Sequence, residues 1–160
     1  MDIEDVEEIE IETGPVAFTS AGIREPKIGV EGKFSLWFLA ALALTEGNVT
    51  LDKFTDEKVN DPRLVNLRRK VNATLVRELG LGARVIVRMK DGIQYKGFKA
   101  TPKGSPEDPL SLEEIKTKFR DASKPAIPEK NIELLLDKIG ILEKLTGIEE
   151  IITLTKPGPK

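Results

Sequence analysis

The sequence predicts an α+β fold, in which a small, mostly antiparallel sheet has helices packed on one face. Three observations support this prediction. Residues 8–12 alternate strictly between glutamate and isoleucine, as in a half-buried strand. Residues 83–100 contain two strand-like segments around Asp91-Gly92, as in a β-hairpin. Other segments have apolar residues at intervals of three or four, which is the periodicity of a helix.

The first half of the chain combines short strands with one strongly apolar helix. Gly14-Pro15 ends the first strand, and residues 16–22 are expected to form a second one. Residues 33–46 predict a helix, with Gly47 as its left-handed C-cap. The centre of this helix is apolar on every face, which is typical of a helix buried on more than one side. We therefore expect a second subunit or domain to cover part of it.

A second helix is predicted to begin at Asp61-Pro62, because proline suits the first helical position. Its apolar side is expected to consist of Leu64, Leu67 and Val71, at spacings of three and four. The next element is the hairpin, where Asp91-Gly92 predicts a type I′ turn with positive φ at both residues.

The first strand is expected to lie in the same sheet as the hairpin. The acids of Glu8–Glu12 would then face Arg84, Arg88 or Lys90 across the ladder. Exposed cross-strand pairs of this kind contribute only ~0.2–1 kcal/mol each. They would influence the choice of pairing partner more than stability.

The C-terminal third is predicted to be helical. Ser111 and Glu114 have the spacing of a capping box at the start of a helix. Residues 129–139 predict another helix, and a short terminal helix is expected after it. We expect one domain over residues 1–155 and a frayed tail over residues 156–160.

The composition limits the chemistry available to this chain. Its net charge is −2, whereas a dedicated nucleic-acid-binding domain is usually basic, so no nucleic-acid partner is expected. No apolar run approaches the ~20 residues that span a bilayer, so we expect a cytoplasmic protein without membrane contact. The chain contains no cysteine and no histidine. A thiolate metal site, a cysteine nucleophile and the commonest general base are therefore excluded.

Lys33 and Ser35 open the apolar helix and are the first candidates for chemistry. Lysine and serine together act as a nucleophile pair in some hydrolases. Residues two apart point in different directions on a helix, so the spacing favours a structural explanation. In that explanation Ser35 caps the helix or bonds back to it, and Lys33 lies at the surface. A freestanding hydrolase that depends on Lys33 remains a less favoured alternative.

The order of motifs resembles the C-terminal domain of the MmgE/PrpD (2-methylcitrate dehydratase-like) family. Four segments resemble family motifs, and together they cover about residues 5 to 145: Lys33–Leu36 with the Ala-rich helix and Gly47; Phe54–Pro62 running into Val65; Val85–Gly92; and Gly104–Leu110 with Lys118-Phe119. Their order and spacing carry the resemblance.

This resemblance implies a function and a partner. Family members catalyse dehydration, decarboxylation or epimerisation of di- and tricarboxylic acids without metal or organic cofactor, and they are commonly homodimers. A helical N-terminal domain precedes the matching region and supplies most catalytic residues, including histidines. The resemblance thus implies one part of a lyase or isomerase of the propionate-metabolism type, inactive alone and completed by that helical domain. A non-catalytic binding or regulatory module with the same fold is the alternative.

The resemblance also assigns roles by position. Lys33 and Ser35 would border the substrate carboxylates, and the lysine would hold a carboxylate or stabilise enolate charge. Phe38 falls where family members often have a tyrosine that projects into the site, and the missing hydroxyl favours the non-catalytic alternative. Trp37, Leu39 and Leu42 are the expected interface residues. No catalytic residue is assigned within this chain.

Overall fold

The sheet places an acidic strand at its centre. The structure, a computed structural model, describes residues 2–157. Four strands pair in the order β2-β1-β3-β4. Their bounds are β1 Val6–Thr13, β2 Val71–Leu75, β3 Ala83–Met89 and β4 Gln94–Lys99. The pairing of β1 with β2 is parallel, and the other two pairings are antiparallel. The expected α+β class with a mostly antiparallel sheet is confirmed.

Eight α-helices are present within residues 2–157. Their bounds are α1 Pro15–Ser20, α2 Gly29–Gly32, α3 Leu36–Glu46, α4 Asp56–Val59, α5 Pro62–Arg68, α6 Leu112–Ser123, α7 Glu129–Ile139 and α8 Glu149–Leu154. The described chain divides into two compact units after Pro109. The first contains the sheet with α1–α5, and the second contains α6–α8. The expectation of one domain over residues 1–155 stays a prediction. Of the expected frayed tail, residues 158–160 lie outside the described residues.

One core holds the first unit together. The inner face of β1 contributes Ile9 and Ile11, and α3 contributes Phe38 and Leu42, all fully or nearly fully buried. The rings of Phe38 and Phe54 pack in a tilted arrangement with centroids 6.2 Å apart. Helices α3 and α5 thus bury the inner face of the sheet, as the period-two pattern of β1 requires.

On the outer face of the sheet, the acids of β1 pair with arginines of β3. The register sets Glu12 opposite Arg84 and Glu8 opposite Arg88. Glu12 forms an ion pair with Arg84, and Glu10 accepts a hydrogen bond from Arg88 Nη2 at 2.9 Å. The expected pairing of the first strand with the hairpin is therefore confirmed. Lys90 pairs with Asp5 rather than with an acid of residues 8–12, at 3.9 Å.

Three local predictions about the first unit are wrong. Residues 16–22 do not form a strand, because Pro15 starts α1 at the position where its missing N–H costs nothing. Val71 does not continue α5, because it pairs with Ile9 as the first residue of β2. The hairpin turn is not type I′, since Gly92 has positive φ and Asp91 does not.

The hairpin instead closes through three residues, Lys90–Gly92. The Gly92 N–H donates to the Met89 carbonyl, and the Met89 N–H donates to the Ile93 carbonyl, both at 2.9 Å. A three-residue connection needs only one left-handed residue, and glycine supplies it without steric cost. The aspartate therefore avoids a conformation that non-glycine residues seldom adopt.

The second unit confirms the expected helices of the C-terminal third. The Ser111 and Glu114 side chains form both bonds of a capping box at the start of α6. Arg120 binds Glu133 through two hydrogen bonds of 2.7 and 2.9 Å, which joins α6 to α7. Helix α8 provides the expected short terminal helix. Residues 2–157 contain no helix with the length and apolar character needed to cross a bilayer.

An ion-pair cluster fixes the C-terminal end of α3. Glu46 lies between Lys53, at 2.7 Å, and Lys58. Hydrogen bonds from these two lysines lower the pKa of Glu46 from 4.5 to about 2. A carboxyl whose pKa falls on folding stabilises the folded state above its unfolded pKa. It loses that contribution as the pH falls towards its folded pKa.

We expect Glu46→Gln to reduce stability at neutral pH and to flatten the acid side of the stability profile. The parent chain should lose more stability than this variant between about pH 5 and pH 2, because only the parent has this carboxyl to protonate. Urea unfolding at a series of pH values measures the effect. Glu78→Gln, at an exposed carboxyl, is the control. Parallel profiles for the parent and Glu46→Gln would contradict the prediction.

Candidate functional site

The segment that precedes α3 is fixed by a helix cap and by backbone hydrogen bonds to the preceding loop. Ser35 precedes the helix in an extended conformation, and its hydroxyl accepts a hydrogen bond from the Phe38 N–H at 3.1 Å. The Ile23 N–H donates to the Phe34 carbonyl, and the Leu36 N–H donates to the Ala21 carbonyl. These bonds tie the segment to the preceding loop on both sides of Ser35. Ser35 is fully buried, so the structural explanation of its hydroxyl as a helix cap is confirmed.

Lys33 is the exposed member of the predicted substrate-binding set. It ends α2, where its N–H donates to the Val30 carbonyl at 3.3 Å. Its Nζ lies 5.8 Å from the centroid of the Phe54 ring, within the range of a cation–π contact. The ammonium is therefore positioned by an aromatic face while its side chain stays accessible to a ligand.

Phe38 lies in the core rather than at the surface. None of its surface is exposed, and its ring packs on Phe54 and against Gly32. A Cβ at Gly32 would lie only 2.9 Å from the Phe38 ring, so a glycine is needed at this close approach. The structure thus brings Lys33 and Phe38 to the same aromatic neighbour, Phe54, and directs only Lys33 towards solvent. Substrate binding by Lys33, Ser35 and Phe38 stays a prediction.

The predicted interface residues differ in what they offer a partner. Trp37 keeps 8% of its surface exposed, and Leu42 keeps none, because both pack in the core of the first unit. Leu39 is half-buried and has surface left to contact another chain. Their role as an interface stays a prediction.

Beside the start of α3 lies a cleft that the sequence did not reveal. It has a volume of about 330 Å³, and six residues line it: Arg24, Glu25, Lys27, Trp37, Arg68 and Arg69. Four of them are cations and one is an acid. We call it the basic cleft. Two signals for it are visible in the sequence: the adjacent arginines at the end of α5, and the Arg/Lys-bearing loop before α2. Only the fold brings them together.

Arg68 is the buried member of the basic cleft, with 8% of its surface exposed. Its Nη1 donates to the Val59 carbonyl at 3.0 Å and to the Pro26 carbonyl at 3.3 Å. Burial lowers the pKa of its guanidinium, because the charged form loses solvation. Within the described part of the chain, no carboxylate lies at ion-pair distance from this group.

Comparison with known proteins identifies the family of this chain. The sequence model of the MmgE/PrpD C-terminal domain matches residues 1–139. The chain belongs to the MmgE/PrpD family. The resemblance of the sequence motifs to this family is thereby confirmed, and so is the fold class that the resemblance implied.

Two curated relatives of this MmgE/PrpD domain are decarboxylases. The chain is 27% identical over 131 residues to the cis-aconitate decarboxylase of Mus musculus. This alignment covers 79% of the chain and 26% of that protein. It is also 27% identical over 135 residues to the cis-aconitate decarboxylase of Homo sapiens. This alignment covers 81% of the chain and 28% of that protein. The chain thus spans about a quarter of the length of these relatives. It is a domain of a lyase family whose members also have an N-terminal domain.

We expect Ser35→Ala to reduce the free energy of unfolding by about 1–2 kcal/mol, because the buried Phe38 N–H loses its acceptor. The matched control is Ser20→Ala, at an exposed serine, with a change within about 0.5 kcal/mol. Denaturant unfolding of both variants measures the difference. Equal effects of the two substitutions would show that the Ser35 hydroxyl does not stabilise the helix.

Proposed function

We propose that this chain is the C-terminal part of a cofactor-independent lyase or isomerase that acts on di- or tricarboxylic acids. The family match and the two decarboxylase relatives support the reaction class. The observation on which the proposal depends is the exposed Lys33 ammonium on the rigid segment before α3. An ammonium fixed in this way can bind a substrate carboxylate or the negative charge that develops beside one.

The chemistry of these acids needs a base as well as a cation. Proton removal next to a carboxylate requires a group with a pKa near the working pH, and histidine most often provides it. This chain has no histidine. We propose that a helical MmgE/PrpD N-terminal domain holds the base, and that the present domain closes the pocket with Lys33. The assembled protein is proposed to be a cytoplasmic homodimer, with 2-methylcitrate or cis-aconitate as representative substrates.

A non-catalytic binding or regulatory module is the second candidate. The burial of Phe38 favours it, since the position expected to project into the site lies in the core and has no hydroxyl. A module of this kind would bind polycarboxylic acids without converting them, even when joined to the helical domain.

We expect turnover of 2-methylcitrate or cis-aconitate only when this chain is co-expressed with an N-terminal domain of the family. In that assembly, Lys33→Gln should lower kcat/KM by at least about tenfold, because a charged contact to the substrate is lost. The control is Lys96→Gln, at an exposed lysine of β4.

Full turnover by the isolated chain would refute the division of labour. Equal rates for the two variants would refute the role of Lys33, and binding without turnover by the assembly would favour the second candidate.

The proposed dimer generates a separate expectation. Leu39 is the candidate interface residue that remains partly exposed to solvent. Leu39→Lys should therefore shift the chain towards monomer in analytical ultracentrifugation. Leu134→Lys, at an exposed position of α7, is the control and should leave the distribution unchanged. A monomeric parent chain at all concentrations would contradict the proposed dimer.

A further inference from the structure

We propose that the basic cleft is a binding site for a small polycarboxylate, with Arg68 on its buried side and Arg24 and Arg69 as exposed ligands. Of the residues that line the cleft, only Trp37 has a role described above, as a predicted interface residue, and Lys33 is not among them. The choice of carboxylate over phosphate rests on the proposed function. The anion site itself rests on the geometry alone.

The first argument is the state of Arg68. The residue is more than nine-tenths buried, yet its guanidinium is held by two backbone carbonyls rather than by a carboxylate. Glu25, the one acid among the lining residues, attracts this guanidinium without forming an ion pair with it. A buried cation without a paired opposite charge is costly, and proteins normally compensate it with an ion pair. An anion in the basic cleft would provide this compensation. The two carbonyls fix one end of the guanidinium, so its orientation is set before a ligand arrives.

The second argument is that the loop on the other side of the cleft is rigid. Pro26 is fully buried, and its carbonyl accepts from Arg68. The Lys27 carbonyl accepts from Asn60 Nδ2 at 3.0 Å, and the Lys27 N–H donates to Glu31 at 2.6 Å. The loop is thus fixed to the chain around α4 and α5. Because this loop is already ordered, ligand binding costs less conformational entropy than it would at a flexible loop.

The third argument concerns the exposed cations of the cleft. Arg24 and Arg69 are exposed, and the Arg24 guanidinium lies 5.9 Å from the centroid of the Trp37 ring. A guanidinium in cation–π contact with an aromatic face keeps N–H donors available for a carboxylate, which it can bind in a bidentate manner. Lys27 Nζ forms an ion pair with Glu25 at 3.5 Å. Glu25 is the one acid among the lining residues, and it would repel an anionic ligand.

These features define the ligand class. A volume of about 330 Å³ lies at the lower end of the ~300–1,000 Å³ typical of small-molecule sites, so the ligand is small. Four cations against one acid favour a ligand with two or three negative charges over a monocarboxylate. The arginines are spread over the loop before α2 and the end of α5, so separate carboxylates of one molecule can reach different guanidinium groups.

Trp37 provides a direct readout, because it lines the cleft and is the sole tryptophan of the chain. The full chain is titrated with tricarballylate, cis-aconitate, acetate and inorganic phosphate, with Trp37 fluorescence and calorimetry as readouts. We expect saturable binding of the two tricarboxylates and at least tenfold weaker binding of acetate and phosphate. Arg24→Gln and Arg69→Gln should each weaken tricarballylate binding by about tenfold or more, the loss expected for one charged hydrogen bond. Arg77→Gln, at an exposed arginine outside the cleft, should bind like the parent.

Each contrary result has a definite meaning. No saturable binding, or equal binding by parent, Arg24→Gln and Arg69→Gln, would overturn the inference. Phosphate bound as tightly as tricarballylate would overturn the assignment to carboxylates. In the assembled enzyme, an unchanged KM for Arg69→Gln would refute the cleft as a substrate site while leaving the proposed function intact. Binding that persists in an assembly without any turnover would support the cleft and refute the catalytic proposal.

Discussion

The parallel pairing of β1 with β2 is the constraint on which the first unit depends. Ile9 pairs with Val71, and the ladder continues to Thr13 and Leu75. Two parallel strands cannot be joined by a tight turn, so residues 14–70 must cross one face of the sheet before the chain returns. This connection contains α1–α5. It covers the inner face with α3 and α5, and its return leads directly from Arg68 and Arg69 into β2.

The same crossover explains why the basic cleft exists. Its two sides belong to one connection, since Arg24 and Lys27 lie before α2 and the two arginines lie at its end. The carbonyls of Pro26 and Val59 meet the Arg68 guanidinium because α4, α5 and the early loop pack together. Had β2 paired antiparallel through a hairpin, no segment would have been available to form this cleft.

The charges of the first unit are divided between two different environments. On the outer face of the sheet, Glu8, Glu10 and Glu12 of β1 lie within ion-pair distance of two arginines of β3, so these arginines already have partners within the chain. In the basic cleft, cations outnumber the single acid. The net charge of −2 hides this separation. A small overall charge therefore does not exclude a local anion site.

The sequence predicted elements that are specified by local chemistry and missed those that depend on distant pairing. The capping box at Ser111, the Gly47 cap and the helix start at Pro62 were predictable, because neighbouring residues determine them. Strand β2 was missed, since Val71 stands four residues after Leu67 and suits a helix until Ile9 pairs with it. The basic cleft was missed for the same reason, because its arginines are separated by more than forty residues in the chain.

The electrostatics also indicate which part of the proposed reaction this domain can perform. Several carboxyls of this chain have a pKa held clearly below the ordinary value by hydrogen bonds: Glu46, Asp52, Glu57, Asp61, Asp108 and Glu133. A lowered pKa makes a carboxylate a weaker base, whereas a general base works best with a pKa near the working pH. Arginine and lysine are protonated at that pH and cannot accept a proton. Lys33 and the arginines of the basic cleft are therefore suited to hold and stabilise negative charge. Under the proposed function, the group that removes the proton lies in the N-terminal domain, and the two domains would then be chemically complementary.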